Sequence, residues 1–308
     1  MGIMISVTAP KKNLPALITL YVAGILCLCV SCSSAPKRPP AIYASRNNAI
    51  AQIDLANRSS SRGEFVSAHL FLDEAWRLAV STDDPDTRIR VRLSRGNAWY
   101  GAGEIIKAED EWKEALVEAE EAGNAELSGA SRVFLARASL AEGRSDVAAE
   151  ERAERARNAR SVAKAELKTL KDNILFTALA WRVIGLCEKE LSHPDEAEKA
   201  IHQSLALHDK HSYLEDAAWD WFLIASVRSK AGELPLAHTA LDESIAFNRR
   251  AENSSGLGEA WMAKGHVFEK EGKGDRAAVA YTRARDIFRS ALLDAQAEEA
   301  ERKIAHNQ

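Results

Sequence analysis

One repeat governs this sequence. Gly63, Gly103 and Gly143 stand 40 residues apart, Gly232 and Gly272 are again 40 apart, and 40 before Gly232 stands Ser192. The two series are separated by 49 residues, from Gly143 to Ser192. Five residues after each of these positions stands an alanine: Ala68, Ala108, Ala148, Ala197, Ala237 and Ala277. Seven before each is Ala56, Gly96, Ala136, Gly185, Ala225 or Gly265. Two small residues therefore bracket a turn in every unit, as they must where two antiparallel helices cross closely. Units of this length bury their apolar sides only by stacking on one another, so the pattern predicts a solenoid of helix pairs.

Large residues recur in the same frame. Eleven positions before the turn are Trp181, Trp221 and Trp261 in the last three units. Nine after it are Leu72, Trp112, Ile201, Leu241 and Tyr281, with Arg152 breaking the series. This resembles the tetratricopeptide repeat, whose first helix reads W-x2-L-G-x2-Y and whose second reads A-x3-F. The last unit matches best, with Trp261, Gly265, Phe268, Gly272, Ala277, Tyr281 and Ala284. The resemblance implies an all-α, right-handed superhelix of about six helix pairs. Their 40-residue period exceeds the family's usual length of about 34.

Proline placement agrees. Beyond residue 41 the prolines are Pro85, Pro194 and Pro235, each at the expected start of a helix, where a missing N–H leaves no bond unmade. The nine-residue excess falls in the third unit. Its second helix is expected from Asp146 towards Leu170 and is rich in Ala, Glu and Arg, as a solvated, overlong helix held by charge pairs would be. The last helix is expected to run from Asp275 to about Ile304, ending in a polar cap.

The N-terminus reads as an address. Lys11 and Lys12 precede an apolar run from Leu14 to Val30, about 17 residues, short of the ~20 that span hydrocarbon. Cys29-Val30-Ser31-Cys32 resembles the lipobox of bacterial lipoproteins, although Cys29 stands where leucine is usual. That resemblance implies cleavage before Cys32, lipidation of Cys32, and an outer-membrane location facing the periplasm. The domains expected are a signal peptide over 1–31, a lipidated tether over 32–43, repeats 1–3 over 44–172, and repeats 4–6 with a capping helix over 173–308. Cys187 then remains as a lone thiol in an apolar helix, where packing explains it.

Chemistry is sparse. The net charge of −4 lacks the basic excess that sequence-independent nucleic-acid binding needs. Glu271-Gly-Lys-Gly-Asp275 sits in a repeat turn rather than between a strand and a helix, so it is no phosphate loop. His208 and His211, with His202 as a third candidate, have metal-ligand spacing, but solvent-facing histidines at a helix end explain them better. No cofactor, metal or catalytic group is expected, and the chain is expected not to be an enzyme.

By resemblance, the first helix of each pair lines a concave groove. The residues expected there are Leu179, Arg182, Leu186, Trp219, Phe222 and Met262 in the C-terminal half, with His266 at the edge. In the N-terminal half they are Ile53, Asn57, Arg90, Leu93, Asn97, Tyr100 and Arg137. Asn57 and Asn97 hold equivalent places, where related modules bond a peptide backbone. The family's carboxylate-clamp positions hold Ile53, Ala130 and Phe134, so that clamp is not expected. The reading is a non-catalytic, lipid-anchored scaffold that binds a protein or peptide segment in an envelope complex. An accessory solute-binding role in a transport system is the alternative.

Overall fold

The computed structural model describes residues 42–141 and 148–307. The chain divides by contacts into Met1–Tyr43 and Ala44–Gln308, and the helical stack belongs to the second unit. The signal, lipobox and tether expectations, and Gly143, lie outside the described residues. Among the described residues every regular element is a helix.

The helices come in pairs. The first is α1 (Ile42–Ser61) with α2 (Phe65–Ser81), the second α3 (Pro85–Gly101) with α4 (Ile105–Glu121), and the third α5 (Ala125–Ala138) with α6 (Ala149–Leu170). Then come α7 (Ile174–Glu190) with α8 (Pro194–Lys210), α9 (Leu214–Lys230) with α10 (Leu234–Arg250), and α11 (Ser254–Lys270) with α12 (Gly274–Ser290). A single helix, α13 (Asp294–His306), closes the stack. Pro85, Pro194 and Pro235 all occupy first-turn positions. Four first helices start on a side-chain cap: Asp84, Asn124, Asn173 and Asn253 each accept the N–H three residues on.

The turns explain the glycines, and they correct one expectation. Gly63, Gly103, Gly232 and Gly272 have φ of 78°, 81°, 82° and 72°, the left-handed region that glycine enters without steric cost. Midway between them the chain does the same at Asp83 (47°), Gly123 (65°), Ser212 (60°), Glu252 (53°) and Leu292 (59°). The structural period is thus a single helix plus its turn, about 20 residues, repeated without regard to whether glycine is present. The left-handed turn at Leu292 breaks the long final helix predicted from Asp275 into α12 and α13. The capping role falls to α13 alone, which buries Ala297, Ala300 and Ile304 and exposes most of its other residues.

Packing follows a size rule. A Cβ on Gly96 would lie 2.3 Å from Trp112 Nε1, one on Gly185 2.5 Å from Ile201 Cγ1, and one on Gly265 2.4 Å from Tyr281 Cε1. Each glycine thus lets the second helix's large side chain lie against the first helix's backbone. Where the small residue is Ala56 or Ala225, the large residue of the same pair is Leu72 or Leu241, all four buried. The third pair departs from the rule. Ala148 is exposed, Arg152 faces solvent, and Ala156, Ala159, Ala163, Glu166 and Leu170 are the buried residues of α6 instead.

The overlong α6 is gripped by its neighbours rather than held mainly by its own pairs. Arg160 and Lys164 reach Glu188 at 3.0 and 3.8 Å, Arg152 reaches Glu190 at 3.3 Å, and Glu166 meets Arg132 of α5 at 2.7 Å. The first turns of α6, from Ala149 to Glu154, are its most exposed part.

Successive first helices also touch each other: α3 meets α5, α5 meets α7, α7 meets α9, and α9 meets α11. First helices therefore lie on the inner radius. The solenoid also meets itself. Ser61 donates to Glu215, Arg62 lies 3.7 Å from that carboxylate, and Asn253 Nδ2 lies 3.4 Å from the Ser61 carbonyl. The turn of the first pair so rests on the starts of α9 and α11.

Candidate functional site

A first helix packed on both flanks and on its own second helix has one face left, and that face looks inward. On α9, Ala217, Ala218, Asp220, Leu223, Ile224, Ala225 and Val227 are buried, while Trp219 keeps 43% of its surface. Trp219 lies flat on Phe222, with centroids 4.9 Å apart and planes 10° from parallel. Phe222 itself is half-buried and packs on the core below. Two stacked aromatics on an inner face form a flat, apolar platform.

The other residues expected in the groove divide by environment. Leu179 and Met262 are buried at 7% and 9%, and Leu186 is half-buried against the same core as Phe222. Their surfaces serve the stack. His266 lies edge-on to Tyr281, 5.5 Å between centroids. Arg182 is held in place: Nε donates to Asp220 Oδ1 at 2.5 Å, Nη1 lies 3.0 Å from Asp216 Oδ1, and Nη2 donates to the Asp216 carbonyl at 2.7 Å. Asp220 is wholly buried and also accepts from Ser204 and lies 2.7 Å from His208 Nδ1. Arg182 is thereby a strut between α7, α8 and α9.

The histidines scatter. His208 is buried in that strut, His202 pairs with Glu198 at 3.2 Å, and His211 is exposed. No group of three metal-ligating side chains assembles among the described residues. Cys187 is fully buried, and burial pushes its thiol up to about 12.

The N-terminal half of the inner face holds a second cluster. Asn57 is exposed on α1, and Ile53, Leu93, Ala130 and Phe134 are buried. Asn97 and Tyr100 on α3 come together with Arg137 on α5. Arg137 Nη2 donates to Asn97 Oδ1 at 2.8 Å, and the guanidinium lies 4.2 Å from the Tyr100 ring centroid. It also lies 5.2 Å from the centroids of both Trp112 and Phe134. Its Nε is buried without a hydrogen-bond partner. Desolvation, with the Arg182 charge opposing it further, brings the guanidinium down to about 10.

Farther along, Glu259 of α11 also lacks a cationic partner among the described residues. Desolvation raises its pKa, and the Ser255 hydroxyl offsets this only in part. Nothing in the sequence marks Glu259, because its position carries no recurring residue.

No protein-family model matches the chain, and comparison with curated proteins found no match. Solved structures do resemble it. A Rap protein, crystallised in complex with competence and sporulation factor, superposes with a TM-score of 0.53 at 14% identity. The match covers 83% of this chain and 73% of that one. The fold is a tetratricopeptide-like α-solenoid. BtubC from P. vanneervenii (TM-score 0.49, 19% identity, covering 79% of this chain and 92% of its own) also resembles it. So does the type IV pilus biogenesis factor PilW (0.45, 15%, 78% and 93%).

Proposed function

We propose that this chain is a non-catalytic scaffold that captures a protein or peptide segment on the inner face of its solenoid. It would do so while tethered by lipid at Cys32 to the bacterial outer membrane, facing the periplasm, as part of an envelope complex. The observation that carries the reading is the Trp219–Phe222 platform. An exposed tryptophan on an inner helix contributes little to its own fold, and buried aromatics are the residues that most often dominate binding energy. The Rap protein, with the same fold, was crystallised with a bound factor, which adds support.

The test is a double substitution, Trp219→Ala with Phe222→Ala, read by melting temperature and by in-cell crosslinking from a neighbouring inner-face position. The expected result is a crosslinked partner lost in the variant with little change in melting. A large fall in melting temperature instead places these side chains in the core and moves the binding face elsewhere. The tether is tested separately. Cys32→Ala should leave the precursor uncleaved or release the protein from membranes, since only two or more acyl chains hold firmly. Normal processing and fractionation of that variant would refute the anchor.

A further inference from the structure

Among the described residues, charge pairing is thorough for the arginines of α3, α5, α7 and α9, with one break. Every other arginine of α3, α5, α7 and α9 has a carboxylate within 4.0 Å. Arg90 pairs with Glu126 at 3.2 Å, Arg132 with Glu166 at 2.7 Å, Arg182 with Asp216 and Asp220, and Arg228 with Asp195, Glu198 and Glu233. Arg88, Arg92 and Arg95 are paired likewise. Arg137 has no carboxylate among the described residues. One amide oxygen, from Asn97, accepts from its fork, and its Nε is buried and unbonded.

The surroundings hold this charge in place without neutralising it. The rings of Tyr100, Trp112 and Phe134 surround the guanidinium at 4.2 to 5.2 Å, attracting it by their π faces and fixing its plane. Trp112 is itself wholly buried and bonded to the Leu93 carbonyl, so this wall is rigid. The C-terminal end of α5 adds a favourable dipole. None of these accepts a hydrogen bond from Nε or completes the planar fork. The sealed Nε is out of a ligand's reach, so the guanidinium offers its Nη1–Nη2 end, fixed against aromatic rings, and a carboxylate matches it by accepting an N–H bond from each.

We propose that Arg137, with Asn97 beside it, is the receptor for a carboxylate of the bound segment: an aspartate or glutamate side chain, or a free C-terminus. This rests on the peptide-binding function proposed for the inner face and deepens it. The position is distinct from the places where the family's clamp would stand, which hold the buried Ile53, Ala130 and Phe134. The segment would run from this polar anchor across the inner face, its apolar residues free to use the aromatic platform of α9.

The test pans random dodecapeptides, displayed with both free and blocked C-termini, against the purified full chain in detergent. Wild-type protein should select peptides enriched in Asp and Glu at one position, or peptides with a free C-terminus. Arg137→Gln should erase that preference while retaining circular dichroism and melting like those of wild type. For one selected acidic peptide, replacing the acid by its amide should weaken binding about tenfold on wild type and hardly at all on Arg137→Gln. Arg137→Lys, which keeps the charge but loses the fork, should fall between and serves if the glutamine variant does not fold. Selected peptides without acid preference, or a preference intact in both variants, overturn the carboxylate receptor and leave peptide binding standing. No selected peptide at all overturns both.

Discussion

Replacing Gly96 by alanine separates packing from propensity, because the two predict opposite signs. Helix propensity alone favours alanine by about 1 kcal/mol in a helix interior. The structure places the new Cβ 2.3 Å from Trp112 Nε1, 2.6 Å from Cδ1 and 2.8 Å from Cε2, so the indole must move. It has little room, being wholly buried and stacked 5.1 Å from Phe134. Moving it stretches the 3.1 Å bond from Nε1 to the Leu93 carbonyl. Overpacking costs ~1–3 kcal/mol and leaving a buried polar group unbonded another ~1–3 kcal/mol. After the propensity gain the net loss is about 1–5 kcal/mol, or a melting temperature lower by about 2–20 °C for a unit of this size. The assay is a double-mutant cycle by thermal or denaturant melting with Trp112→Leu, which recreates the Ala–Leu pairing of Ala56 with Leu72. The two costs should fall short of additive by about 1 kcal/mol or more. A higher melting temperature for Gly96→Ala, or strictly additive costs, would refute the size rule.

Backbone and charge give two further outcomes. Leu292 has a left-handed φ of 59° and is 85% exposed, so Leu292→Gly relieves strain of ~1–2 kcal/mol at the cost of a more flexible unfolded chain, and should raise stability by about 0.5–1 kcal/mol in denaturant melts. Glu259 titrates above its ordinary value because of desolvation. Its ionised form therefore weakens the fold above the folded pKa, and that cost disappears as pH falls through it towards the ordinary value. Glu259→Gln should melt higher than wild type at pH 7, with the gain shrinking on acidification; a gain independent of pH would assign the effect to something other than ionisation.

The repeat was legible in the sequence because its punctuation is chemical. Gly63, Gly103, Gly232 and Gly272 mark left-handed turns, and the small residues before them mark where a second helix crosses. The alternate turns were not legible. Asp83, Ser212, Glu252 and Leu292 adopt the same backbone with no residue type in common, since the flanking helices impose it. That is why the final helix was expected to run through Leu292. The groove was legible as a face but not as a chemistry. Periodicity places Arg137 and Arg182 alike on inner helices, yet one is clamped between Asp216 and Asp220 and the other has no anion among the described residues. Whether a charge is neutralised depends on residues about 40 positions away in sequence, and no local pattern reports it.

The third helix pair departs from the rest in both packing and charge. In the other pairs a small residue on the first helix faces a large one on the second, which keeps the spacing within each pair uniform and lets the stack repeat. In the third pair Arg152 stands in the large residue's place and faces solvent, and α6 shifts to bury Ala156, Ala159 and Ala163 in its stead. Leu170 of α6 is wholly buried in the same core as Leu127 and Val133 of α5, and Arg132 with Glu166 adds an ion pair between the two helices. The same α5 carries Arg137. The third pair thus departs in packing, and its α5 carries the one arginine of α3, α5, α7 and α9 without a carboxylate among the described residues; such breaks collect at functional sites. The N-terminal half of the inner face would then contribute specificity through Arg137, while the α9 platform contributes apolar contact. Substitutions in the two places should therefore separate, the first changing which segments bind and the second changing how tightly all of them do.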